Sequence, residues 1–98
     1  MKQAMIIKLL KQNRPYLVTH FGIQNLYLFG SFAYGVPQKN SDIDLLIEVP
    51  KPQKTYQNYR SAKMFLENVF HRPVDLVYSD SANPVILQNI LDRGIYIE

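Results

Sequence analysis

Hydrophobic positions recur along this chain with two periods, and the switches between them predict its elements. Met5, Ile6, Leu9 and Leu10 fall at helical spacing in residues 3–11, and Pro15 is placed to open a second short helix that Gly22 ends. Residues 24–29 read as a first strand. The run Ser41-Asp42-Ile43-Asp44-Leu45-Leu46-Ile47 is β-branched and apolar enough to be a second strand, stopped by Pro50 and Pro52. Between them, Val36-Pro37-Gln38-Lys39-Asn40 is loop chemistry. In residues 56–70 the side chains Tyr59, Ala62, Phe65, Leu66, Val69 and Phe70 form one apolar stripe, with Arg60, Lys63 and Glu67 mostly off it, which predicts an amphipathic helix laid on the sheet. Residues 74–78 follow as a third strand. Asn83-Pro84 starts a last helix that runs through Arg93, Gly94 closes it, and residues 95–97 fit a short edge strand. The expected architecture is one α/β (α+β) domain over residues 1–98, a small mixed sheet of roughly three to five strands flanked by helices.

Composition narrows the possible functions. The chain has 98 residues, 47% of them hydrophobic, enough for one core but small for an enzyme, which points to a partner. It has no cysteine, so disulfides and thiolate zinc sites are excluded and a reducing cytoplasm is the expected location. No apolar run approaches the roughly 20 residues of a membrane span, and Met1-Lys2-Gln3-Ala4 leads into no signal-peptide pattern. The net charge of +3 comes from scattered basic residues, which suits phosphate ligands or an acidic partner without implying nucleic acid.

The candidate chemistry lies in Gly30-Ser31, ten residues, then Asp42-Ile43-Asp44. Gly30, lacking a Cβ, lets a phosphate approach the backbone, and Ser31 offers a hydroxyl and an amide at the start of a short helical turn. Asp42 and Asp44, two apart on a strand, point to one face with Cα atoms roughly 6–7 Å apart, a spacing of hard oxygen ligands that suits Mg²⁺. Burying two aspartates among apolar neighbours is costly unless they are paired or bind metal, so a purely packing role needs an exposed strand end. Asp75, in Val74-Asp75-Leu76-Val77, is the third carboxylate that a two-metal site requires. Ser31 also suits a helix N-cap, a role compatible with touching phosphate. Tyr34 is either a packing residue or a ring lining the pocket. His20 and His71 lack a ligand cluster, and Glu48, Asp80 and Asp92 read as solvated charges, so none is assigned a role.

These residues resemble the nucleotidyltransferase superfamily whose signature is GS, ten residues, then DxD, and in particular its short members, the minimal nucleotidyltransferases. The likeness covers nearly the whole chain. Leu26-Tyr27-Leu28-Phe29-Gly30-Ser31 looks like the family's first strand and turn, the Asp42–Asp44 segment like its second strand, and Arg72-Pro73-Val74-Asp75-Leu76-Val77 like its third, acidic strand. GS alone or DxD alone carries little weight; both at this spacing, with an acidic strand downstream, are specific. The resemblance implies that Asp42, Asp44 and Asp75 are catalytic and bind two Mg²⁺ ions, and that Gly30 and Ser31 hold the β and γ phosphates of ATP. It further implies an antitoxin that forms a hetero-oligomer with a HEPN-domain ribonuclease toxin and silences it by transferring AMP to a toxin tyrosine. The alternative is an antitoxin that inhibits by binding alone. One departure bears on that choice: close relatives commonly carry arginines where this chain has Phe32 and Tyr34, which leaves Lys39, Arg60 or Lys63 to supply compensating charge.

Overall fold

In a computed structural model describing all residues 1–98, eight elements follow the chain: α1 (Gln3–Phe21), β1 (Asn25–Phe29), α2 (Ser31–Tyr34), β2 (Ile43–Glu48), α3 (Tyr56–Phe70), β3 (Val74–Tyr78), α4 (Pro84–Arg93) and β4 (Ile95–Tyr96). Short 3₁₀ turns at Lys51–Gln53 and Ser79–Ser81 complete the connections. The four strands form one mixed sheet in the order β3-β2-β1-β4, with β2 and β3 parallel and the other pairs antiparallel.

Strand alternation explains how the sheet is covered. Leu26 and Leu28 of β1, Ile43, Leu45 and Ile47 of β2, and Val74 and Leu76 of β3 project to one face and are buried. Ile6, Leu10 and Leu17 of α1 and Ala62, Leu66 and Phe70 of α3 meet them in the same core. The opposite face carries Asp44 and Asp75, and only α4 is left to cover part of it. Leu46, which alternation turns to this second face, and Ile90 of α4 are the two buried apolar residues outside the main core.

Polar groups of α3 tie it to β3. The Tyr59 hydroxyl donates to the Leu76 carbonyl at 2.8 Å, Lys63 Nζ to the Val74 carbonyl at 2.6 Å, and Glu67 Oε2 accepts from the Val74 amide at 3.0 Å. Thr55 caps the start of α3 by accepting from the Asn58 amide, and His71, in the left-handed conformation with φ 54°, ends it.

Two expectations are corrected. Pro15 does not separate two helices, because α1 runs unbroken through it. Proline removes one backbone hydrogen bond and crowds the preceding turn, but Pro15 faces solvent while Leu10 and Leu17 anchor both halves in the core, and that packing outweighs the local loss. The second strand begins at Ile43 rather than Ser41. Ser41 is instead held in a turn, its Oγ accepting from the Gln38 amide at 2.7 Å and its amide donating to the Gln38 carbonyl.

A continuous α1 predicts the sign of one substitution. Pro15→Ala restores a helical donor in an exposed position and is expected to stabilise the protein by roughly 1–3 kcal/mol in denaturant unfolding. A chain with a real helix start at Pro15 would instead be unchanged or weakened.

Candidate active site

The sheet register assembles the site. Phe29 of β1 pairs with Asp44 of β2, and Asp44 with Asp75 of β3, so three strands contribute to one row. Gly30 and Ser31 follow Phe29 directly and turn the chain into α2. Parallel pairing sets Asp44 and Asp75 side by side on the same face, and the Ile43 amide bond to the Pro73 carbonyl at 3.0 Å fixes where that pairing begins. Asp42 lies just ahead of β2 and is exposed, Asp75 is also exposed, and Asp44 is half-buried.

Gly30 is demanded twice over. Its φ of 75° with ψ of −155° belongs to a region that side-chain-bearing residues avoid, and a Cβ built there would run into Oδ2 of Asp44. The turn therefore rests directly against the central carboxylate. Gly30 is also the N-cap of α2, so Ser31 is its first helical residue, and the expectation that Ser31 itself caps the helix is corrected; its hydroxyl is free for a ligand. Gln3, which sequence reasoning passed over, closes the other end of α2, its Nε2 donating to the Phe32 and Ala33 carbonyls at 3.0 and 2.9 Å.

The electrostatics of the row favour a cation. Burial raises the Asp44 carboxyl, and the neighbouring Asp75 and Asp42 charges raise it further, to about 6. Hard carboxylate oxygens with mutual repulsion are the donor set that a divalent cation such as Mg²⁺ takes. No three acidic or histidine groups close around a single point. The row thus offers aligned carboxylates on two neighbouring strands rather than a preformed cage.

The residues expected to supply positive charge are placed differently. Lys63 is committed to the Val74 carbonyl and to Glu67, Arg60 lies on α3 beside Tyr56 and Met64, and Lys39 is exposed on the loop. Two arginines that the sequence did not single out approach the GS turn instead. Arg72 Nη1 donates to the Lys39 and Ser41 carbonyls, both at 3.0 Å, with the guanidinium 5.3 Å from the Phe32 ring. Arg93 lies 4.4 Å over the ring of Tyr34. Phe32 itself, 3% exposed, is a core residue. Their signal in the sequence was weak, since both arginines are separated by dozens of residues from the turn they approach. His20 stacks on Tyr16, Asp80 pairs with Lys54, Asp92 accepts from Gln88 and Glu48 from Asn25, so these groups stay outside the row.

Comparison with known proteins adds independent information. The family described as Polymerase beta, Nucleotidyltransferase matches residues 6–98. Protein adenylyltransferase MntA of Shewanella oneidensis is 33% identical over 94 residues, which take in 96% of this chain and 63% of that protein, so the chain spans less than two thirds of this relative's length. Among solved structures, a toxin–antitoxin with AMP-PNP is similar over 100% of this chain and 73% of that one, with a TM-score of 0.69 and 30% identity. A tri-AMPylated HEPN toxin of Shewanella oneidensis in complex with an MNT antitoxin is similar over 98% of this chain and 68% of that one, with a TM-score of 0.60 and 27% identity.

Two expected outcomes follow from this geometry. Gly30→Ala should both lower the melting temperature and displace Asp44, whereas Ser31→Ala should leave the melting temperature within about 2 °C and weaken ATP binding, the two readouts being thermal unfolding and titration. The Asp44 carboxyl holds its proton more tightly folded than unfolded, where its pKa is about 3.9. Its destabilising effect is therefore absent below pH 4, grows between pH 4 and 6, and is complete above that. In EDTA, Asp44→Asn should raise stability at pH 7.5 by roughly 1 kcal/mol, after discounting for partial exposure, and leave it unchanged at pH 4 in thermal melts.

Proposed function

The chain belongs to the polymerase beta nucleotidyltransferase family, and on that premise we propose that it is a Mg²⁺-dependent protein adenylyltransferase that moves AMP from ATP to a tyrosine of a HEPN-domain toxin. The observation that carries the reading is the register Phe29–Asp44–Asp75 with Gly30 packed on Asp44, which sets a phosphate-sized turn beside aligned carboxylates. Its likeness to proteins named as adenylyltransferases and to toxin–antitoxin structures supports the choice of acceptor.

Each residue has a part in the transfer. Gly30 gives the β and γ phosphates close access to the backbone, and the Ser31 hydroxyl is free to donate to them. Asp42 and Asp44 would hold two Mg²⁺ ions, and Asp75, the outer member of the row, would complete the second cation site. When bound, Mg²⁺ offsets phosphate charge and makes an acceptor hydroxyl easier to deprotonate. The tyrosine oxygen attacks the α-phosphorus in line with the bridge to the β-phosphate; one P–O bond forms, the bridging bond breaks, and pyrophosphate leaves. Half-burial of Asp44 under the turn keeps this centre partly shielded from water. No helix is long and apolar enough to cross a membrane, and we place the reaction in the cytoplasm with the toxin as partner.

The second reading, inhibition by binding alone, draws on Phe32, whose buried ring puts no cation beside the phosphates. Incubation with the cognate toxin, ATP and Mg²⁺ separates the two. Mass spectrometry is expected to find one or more AMP additions on a toxin tyrosine, with loss of RNA cleavage, and Asp44→Asn is expected to abolish both. An Asp44→Asn protein that protects as well as wild type, with no AMP mass in either sample, would establish binding alone.

A further inference from the structure

Resting on the nucleotidyl-transfer reading of this site, we propose that Arg93 binds the β and γ phosphates of the nucleotide, held in position by the ring of Tyr34. Two elements far apart in sequence meet there. α4 ends at Arg93, and Ile95 just beyond it pairs with Leu28, two residues before Gly30. This path returns the end of α4 to the mouth of the turn and sets the Arg93 guanidinium 4.4 Å over the Tyr34 ring. Tyr34 in turn donates its amide to the Gly30 carbonyl at 3.1 Å, so the ring and the GS turn move as one unit.

The Arg93 charge is uncommitted. The two ion pairs of the chain join Lys54 to Asp80 and Lys63 to Glu67. Arg72 is turned onto the Lys39 and Ser41 carbonyls, and Arg14 onto those of Ile97 and Gln24. Arg93 is exposed, and no carboxylate lies within ion-pairing distance of it. A guanidinium held over an aromatic ring by the cation–π attraction still has its N–H donors in its own plane, and that planar fork matches phosphate oxygens two at a time. The need is electrostatic. Asp42, Asp44 and Asp75 contribute three carboxylates, the turn contributes no cation because residues 30–35 include no lysine or arginine, and a triphosphate adds further negative charge. A cation at the C-terminal end of a helix is also favourable on its own account. That role makes no use of Tyr34 and leaves nucleotide binding indifferent to the side chain.

Calorimetric titration of the purified chain with ATP and with AMP, both in Mg²⁺, distinguishes these roles. Arg93→Ala is expected to weaken ATP binding by about tenfold or more while leaving AMP, which lacks the β and γ phosphates, unchanged. Arg93→Lys should recover part of the loss, since it restores the charge without the fork. Tyr34→Ala should weaken ATP binding with Arg93 intact, and Tyr34→Phe should not. Circular dichroism melts of each variant report whether the fold is retained, and Arg93, being exposed, is expected to melt as wild type. If Arg93→Ala binds ATP within about twofold of wild type, the assignment to Arg93 is wrong and the transferase reading stands. If the wild type itself binds no ATP, the nucleotidyl-transfer reading fails and takes this assignment with it.

Discussion

The contact between Gly30 and the Asp44 carboxylate is the constraint on which the site depends. One atom more on residue 30 and the central carboxylate loses its place. Because Gly30 directly follows β1 while Asp44 sits inside β2, this contact couples the GS turn to the strand that carries the central carboxylate. The antiparallel register between β1 and β2 is therefore a functional dimension as well as a structural one. A shift of one residue would turn Asp44 into the core and bring Leu45 to the turn, burying a charge and exposing a leucine together.

The asymmetry of the sheet makes that placement tolerable. One face is sealed by α1 and α3 and holds the main apolar core. The other is covered in part by α4, which leaves the row of aspartates half in water. Full burial of three carboxylates would drive them to the neutral form, and full exposure would leave a cation competing with bulk water for weak ligands. Asp44 stands between these limits, with a carboxyl pushed up to about 6 by burial and by its two neighbours. Repulsion within the row is the kind that a positive charge placed among the carboxylates relieves. The polar clamp between α3 and β3 serves the same end from below, since Tyr59, Lys63 and Glu67 hold the strand that carries Asp75.

Small size shapes the rest. α4 is short and its Val85, Ile86 and Leu91 remain exposed, so this side of the molecule is only lightly tied down by its own core. Yet its last residue, Arg93, is brought to the GS turn because Gly94 and β4 dock beside β1. An edge strand of two residues contributes little stability by itself, but it fixes where a charged side chain from the far end of the chain must lie.

Much of this was legible in the sequence. The spans of α3, β3 and α4 follow from apolar periodicity and, for α4, from Asn83 and Gly94 at its ends, because these are local rules of backbone and capping chemistry. Gly30-Ser31 and the aspartates stood out because their chemistry needs residues close together in the chain. Pro15 misled, since a local rule against proline in helices was overridden by packing from Leu10 and Leu17 on either side. Ser41 misled for a different reason: it adjoins the apolar run of the strand, but a hydrogen bond from Gln38 holds it in a turn. What only the tertiary structure decided is pairing across distance: that Asp75 stands beside Asp44, that Gln3 closes α2, and that Arg72 and Arg93 lie over Phe32 and Tyr34. Such contacts leave no periodic trace, because they are set by strand order and helix docking, and the energy that selects those arrangements comes from the buried leucines and isoleucines rather than from the polar residues they bring together.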